Sequence, residues 1–191
     1  FAEFAEKYVD FELLKKYLLP TNLEKNVIDE FGSNFKIKSI KPVAIAEDKI
    51  FHFQYPETRE FLEEMGIPIL PWNLFNDEEI PDEAKILILP GGFPEKYVKH
   101  ISSSKKSLES LRRFHNQGFI YAECGGMMIL GEYIKDESGV EYEMAKILPF
   151  GSRKGKLSVG YRYIKGLKDS QLIKRNQIFR GHEFHYWQIE E

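Results

Sequence analysis

Strands alternating with helices along the middle of the chain predict an α/β fold with a mostly parallel, mixed sheet flanked by helices. Three observations carry that expectation. The runs PVAIAED, KILIL and FIYA are apolar enough for buried strands. An amphipathic helix pattern separates the last two. Two glycine corners, PGG and ECGG, fall at strand C-terminal ends, where open α/β sheets build their sites.

Taken in order, residues 1–31 place Phe1, Phe4 and Tyr8, then Phe11, Leu14 and Leu18, at helical spacing. Two short helices follow from this, with Asp10 as an N-cap and Pro20 as a stop. Gly32 to Lys38 is a connector. Pro42 to Asp48 reads as a buried strand, Thr58 to Gly66 as a helix closed by its glycine, and Ile67 to Leu70 as a second strand. The acidic stretch NDEEIPDE is a loop. Lys85 to Leu89 is a third strand, apolar throughout as in a sheet covered on both faces. PGGFPE follows as a breaker-rich loop. Ser104 to Gln117 is a helix with Leu108, Leu111 and Phe114 inward, ended by Gly118, and Phe119 to Ala122 is the fourth strand. Beyond about Lys135, KLSVGYRYI and FRGHEFHYWQI alternate like antiparallel strands.

The bulk numbers exclude several function classes. With 191 residues, 42% hydrophobic and 30% charged, the chain supports a folded domain rather than a disordered segment. A net charge of -3 with mixed signs lacks the footprint of a nucleic-acid binder. No apolar run approaches the roughly 20 residues of a membrane span. One cysteine excludes an internal disulfide and every multi-cysteine zinc pattern, which fits a reducing cytoplasm.

That cysteine, Cys124, sits where the FIYA strand turns through Gly125 and Gly126 toward the helix-like MMIL. A sharp strand-to-helix turn exposes a nucleophile, as in hydrolase elbows, and a helix N-terminus favours a thiolate. The competing reading is a small buried hydrophobe, the commoner role of a lone cysteine. PGGFPE tips the balance toward the nucleophile. Its glycines leave backbone N–H groups unobstructed, so Gly92 is a candidate oxyanion donor beside Gly125. Glu123 would oppose thiolate formation if it faced the sulfur, so it is expected to turn away, into a backbone hydrogen bond.

Other motifs carry less. GHEFHYW spaces its histidines three apart, where a helical HExxH zinc motif needs four. On a strand, Glu183 and His185 share one face and His182 takes the other. His185 or His182 is a candidate general base, with a half-buried structural histidine the alternative. GSRKGKLS fails as a phosphate loop: it is one residue short between glycines, has Leu157 where Ser or Thr belongs, and precedes a strand. It reads as a solvated basic turn. His52, His100 and His115 are assigned to packing or surface, and FHFQY (Phe51 to Tyr55) to wall rather than a binding platform.

VAIAEDKIFHFQYPETREFLEEMG, LPGGFPEKY, YAECGGMMILGE, YEMAKILP, VGYR and RGHEFHYW occur in that order. Together they resemble the C-terminal glutamine amidotransferase domain of the cobyrinic acid a,c-diamide synthase family, across essentially the whole chain. The resemblance implies a class I glutamine amidotransferase-like, flavodoxin-like fold over residues 39–191, continuing past the last residue. Residues 1–38 would be linker helices from an N-terminal ATP-binding domain. It further implies a glutamine-hydrolysing carbon–nitrogen ligase, with Cys124 as nucleophile and Gly92 and Gly125 at the oxyanion hole. No cofactor is expected in this chain, with ATP and Mg²⁺ on the N-terminal domain. Partners would be glutamine, that synthetase domain and a tetrapyrrole held mainly there, in the cytoplasm, with neither nucleic acid nor membrane. In better-known class I glutaminases a glutamate follows the catalytic histidine by two residues; here that pattern would make His185 the base and put Trp187 at the glutamate position. The family resemblance instead places the histidine on a further strand beyond residue 191. Lys146 stands where the family has a small residue. Alternatives are the same domain of nickel-sirohydrochlorin a,c-diamide synthase, a stand-alone cysteine hydrolase or deglycase, and a non-catalytic docking module.

Overall fold

The computed structural model describes residues 7–18, 40–170 and 172–190. The chain divides into two units, Phe1–Lys38 and Ser39–Glu191. In the first, α1 (Phe11–Leu18) starts as its sequence demands: the Asp10 carboxylate accepts a hydrogen bond from the Leu13 N–H at 2.9 Å. The expectations resting on Phe1, Phe4, Pro20 and Gly32 to Lys38 lie outside the described residues.

The second unit is built on two sheets. The first holds β1 (Val43–Ala46), β2 (Ile69–Trp72), β3 (Ile86–Leu89) and β4 (Phe119–Ala122) in the order β2-β1-β3-β4, all parallel. Parallel neighbours need crossovers. Those are supplied by α2 (Pro56–Glu64) between β1 and β2, and by α3 (Val98–Ser103) and α4 (Lys105–His115) between β3 and β4. Leu108, Leu111 and Phe114 face inward on α4, at the spacing the sequence shows, and Gly66 closes the turn after α2 at φ 69°. After β4 comes α5 (Gly125–Leu130).

The second sheet has the order β6-β5-β7-β8, from β5 (Tyr133–Lys135), β6 (Glu141–Glu143), β7 (Gly151–Lys165) and β8 (Ile178–Glu190). β7 and β8 pair antiparallel, as their alternation predicts. One core cluster joins Ala44, Leu87 and Leu89 of the first sheet to Ile101, Leu111 and Ile129 of the helices and to Ile134 of β5.

Three expectations change. The second strand runs over Ile69–Trp72 rather than Ile67 to Leu70. As an edge strand it tolerates Pro71, and Trp72 is buried with its indole N–H donating to the Glu78 carbonyl at 2.9 Å. KILIL is not covered equally on both faces: Leu87 and Leu89 are fully buried, whereas Ile88 lines a groove open to solvent. GSRKGKLS is not a turn. It forms the first half of β7, with Gly151↔Glu190 to Lys154↔Trp187 in register and an irregularity between Lys154 and Ser158 that absorbs the extra residues.

Candidate active site

The loop after β1 is pinned first. The Asp48 carboxylate accepts from the Ile50 N–H at 2.8 Å and the Phe75 N–H at 2.9 Å. The segment it fixes then clamps the PGGFPE loop: Phe93 N–H donates to the Ile50 carbonyl and Phe53 N–H to the Gly91 carbonyl, each at 3.0 Å. The close approach explains the glycine. A Cβ on Gly92 would overlap the Ile50 carbonyl oxygen. Both Gly91 and Gly92 are buried.

The same loop lies directly against the cysteine corner. A Cβ on Gly125 would stand 2.6 Å from the Gly92 carbonyl oxygen and 2.6 Å from Pro94, and one on Gly91 would reach the Cys124 Cβ at 3.5 Å. Only glycine allows the two backbones this separation. Cys124 itself is exposed and adopts φ 47°, ψ -116°, a region that L-residues occupy under strain. The strain is held in place: Glu123 N–H donates to Leu89 O at 3.0 Å, and Gly126 N–H to Glu123 O at 2.8 Å. Among the described residues, the backbone N–H groups of Gly92 and Gly125 donate to no protein acceptor. The corner therefore presents an exposed thiol with two uncommitted N–H groups on the backbones that flank it.

Glu123 does not make the backbone hydrogen bond expected of it. Its carboxylate accepts from the Tyr121 hydroxyl at 2.5 Å. Tyr121 is pushed up to about 12, first by that hydrogen bond and then by burial, so its phenol stays a donor throughout the neutral range. The two side chains share one face because they stand two residues apart on an extended segment. They line a shallow groove of about 70 Å³, open to solvent, with Ile45 and Ile88 as floor and Tyr55, Thr58 and Arg59 from the start of α2 as wall. Arg59 is paired with Glu47 and, at 3.4 Å, with Glu63. Within FHFQY, Phe51 is buried, but Phe53 and Tyr55 are exposed and line this groove. They are wall, but wall of a cleft beside the cysteine. The groove's Tyr121 and Arg59 went unnoticed in the sequence; the strand spacing from Tyr121 to Glu123 was the available signal.

GHEFHYW lies on β8 with the predicted alternation. His185 donates from Nδ1 to the Trp187 carbonyl at 2.7 Å, and its Nε2 is 3.8 Å from Glu183. Glu183 also accepts from Ser158 and Arg162, which holds it below the usual carboxylate range, Ser158 contributing most. No hydrogen bond or ion pair joins His185 to Cys124 among the described residues. Burial raises the Glu95 carboxyl of the glycine loop above its ordinary value, against a backbone hydrogen bond and the charge of Lys96; Trp187 of this motif acts on the same carboxyl to a smaller extent and links the two segments. His100 stacks on Phe75 with ring centroids 3.8 Å apart and His52 tilts against Phe93, so both serve packing. No cluster of three metal-ligating side chains occurs among the described residues, and none of their helices is long and apolar enough to cross a membrane.

Comparison with known proteins places this geometry. The chain is 34% identical over 97% of its length to the cobyrinate a,c-diamide synthase of Salmonella typhimurium and 33% identical over 98% to that of Caldanaerobacter subterraneus. Each match spans 41% of the relative. The hydrogenobyrinate a,c-diamide synthase of Mesorhizobium japonicum is 34% identical over 77% of the chain and is matched over 34% of its own length. Among solved structures, PurLQS from Thermotoga maritima superimposes with a TM-score of 0.52 at 15% identity, covering 78% of this chain and 68% of that one, a likeness of fold. The family model of the CobB/CobQ-like glutamine amidotransferase domain matches residues 42–190. An α/β sheet with its cysteine on a strained corner against a glycine loop thus has its family: the chain belongs to the CobB/CobQ-like glutamine amidotransferase domains.

Proposed function

We propose that the chain is the glutaminase part of an ATP-dependent amidoligase, hydrolysing glutamine to supply ammonia for a,c-diamidation of cobyrinate. One observation carries this above the rest: the Gly92 and Gly125 backbones lie in close contact at the strained, exposed Cys124, and the N–H groups of both are uncommitted. The Cys124 thiolate attacks the carboxamide carbon of glutamine. A C–S bond forms and the carbonyl π pair moves to oxygen, where the N–H groups of Gly92 and Gly125 receive it. As the carbonyl re-forms, the C–N bond breaks and ammonia leaves with the proton that the thiol gave up. Water then adds to the thioester, the C–S bond breaks, and glutamate departs.

His185 is the weaker candidate for the proton carrier, because both ring nitrogens face partners on its own strand. We assign it to positioning β8 and expect the base from the strand that the family resemblance puts beyond residue 191. The relatives are matched over about two fifths of their length, which supports a separate synthetase part. That part would bind ATP, Mg²⁺ and the tetrapyrrole, in the cytoplasm.

The test is amidation by the full-length protein with either glutamine or ammonium chloride as nitrogen source. Cys124→Ala should abolish the glutamine-dependent reaction and retain the ammonium-dependent one. Glutamine-dependent amidation surviving in Cys124→Ala would contradict the assignment.

A further inference from the structure

The distal half of the β7–β8 hairpin is a two-stranded ribbon from Ser158↔His185 to Lys165↔Ile178, beyond the reach of β5, which pairs only with Gly151 and Ser152. A ribbon of two strands is marginally stable in water on its own. Its two faces differ in kind. One carries Ser158, Arg162, Glu183 and His185, whose polar groups satisfy one another. The other carries Val159 opposite Phe184, Tyr161 opposite His182, Tyr163 opposite Arg180 and Lys165 opposite Ile178. Tyr161, Tyr163 and Phe184 are 86%, 78% and 64% exposed. Tyr161 meets His182 edge to face at 5.3 Å. This second face has no acidic residue along the ribbon, and Arg180 and Lys165 have no carboxylate partner among the described residues.

An aromatic row flanked by uncommitted cations recognises something flat and anionic. We propose that this face binds the polycarboxylate macrocycle to be amidated, with Tyr161 and Tyr163 against its plane and Arg180 and Lys165 on its carboxylates. The inference rests on the amidation reading above and extends it: part of the acceptor site would belong to the glutaminase domain.

The experiment measures cobyrinic acid binding and ammonium-driven amidation by the full-length protein. Variants are Arg180→Glu, Tyr161→Ser with Tyr163→Ser, and Lys106→Glu on exposed α4 as a charge control. The expected result is a KM for cobyrinic acid raised about 10-fold or more in the two ribbon variants, with kcat, the control variant and alkylation of Cys124 by a glutamine analogue unchanged. Arg180→Glu keeps the aromatic ribbon, so its effect separates recognition from loss of fold. An unchanged KM in both ribbon variants would overturn the inference alone, as would a loss confined to kcat, which would mark a protein contact instead. If the unaltered protein neither binds nor amidates cobyrinic acid, the amidation reading and this inference fall together.

Discussion

The cysteine corner and the distal ribbon are both strand segments punctuated by glycine, yet their glycines serve opposite ends. At the corner, a Cβ on Gly92 or Gly125 would meet the backbone of Ile50 or of Gly92 itself. In the ribbon, Gly160 at φ 149° has only the flexible Arg162 side chain beside it. Backbone closes the first region on several sides and fixes one exposed cysteine in a strained conformation. The second region leaves its side chains to solvent and fixes only the ladder. A site that must hold an atom against two N–H groups is built from backbone contact. A surface that recognises a ligand is built from side chains on a frame.

The sharpest way to break this contrast is at Cys124. Cys124→Gly removes the proposed nucleophile and also relieves the positive φ, so glutamine hydrolysis should fall by ~10³-fold or more. Thermal unfolding should meanwhile report a gain on the order of 1 kcal/mol. Loss of stability in this variant would show that the corner is unstrained. Next in size, Gly92→Ala forces the loop off Ile50. Hydrolysis should drop by about 10²-fold through the lost oxyanion donor, with roughly 1–3 kcal/mol lost in denaturant titration. The corresponding change in the ribbon, Gly160→Ala, meets no backbone but strains the φ of 149°, so it should lower stability while leaving hydrolysis within about 2-fold of normal.

Tyr121→Phe tests the wall of the groove. Removing the donor to Glu123 should change hydrolysis by about 10-fold or less, in keeping with one hydrogen bond of about 1 kcal/mol. With the phenol raised to about 12, the unaltered pH–rate profile should show no limb from Tyr121 below that value. The smallest effect belongs to Glu95. Its folded value lies above its unfolded one, so whatever it adds to stability is present in acid and lost as pH rises through the folded value. Glu95→Gln should therefore unfold at a higher temperature than the unaltered protein near pH 7, as thermal melts would read directly. The difference should vanish below about pH 4, under the ordinary glutamate value.

Much of the corner was legible because its demands are local. Two glycines after a lone cysteine, and two more after an earlier apolar strand, are constraints that sequence displays directly. That Gly92 and Gly125 touch, by contrast, depends on β3 and β4 being adjacent in register, Leu89↔Ala122, which no single segment encodes. The basic stretch GSRKGKLS misled for a related reason. Its composition is that of a turn, and only its pairing with residues 187–190 makes it strand. Tyr121 and Arg59 look ordinary within their own elements and become groove residues only where the start of α2 and the strands β1, β3 and β4 meet around one groove. The Glu123 partner is a phenol two residues away on the same face rather than the backbone, a pairing that strand alternation sets.

The central claim is that the corner forms a glutamine-reactive thiol. Incubation of the full-length protein with the diazo-ketone glutamine analogue 6-diazo-5-oxo-norleucine, followed by peptide mass spectrometry, tests it most directly. Stoichiometric labelling confined to the peptide bearing Cys124, and prevented by excess glutamine, is the predicted result. A protein that stays unlabelled, or is labelled elsewhere with Cys124 free, would contradict the account.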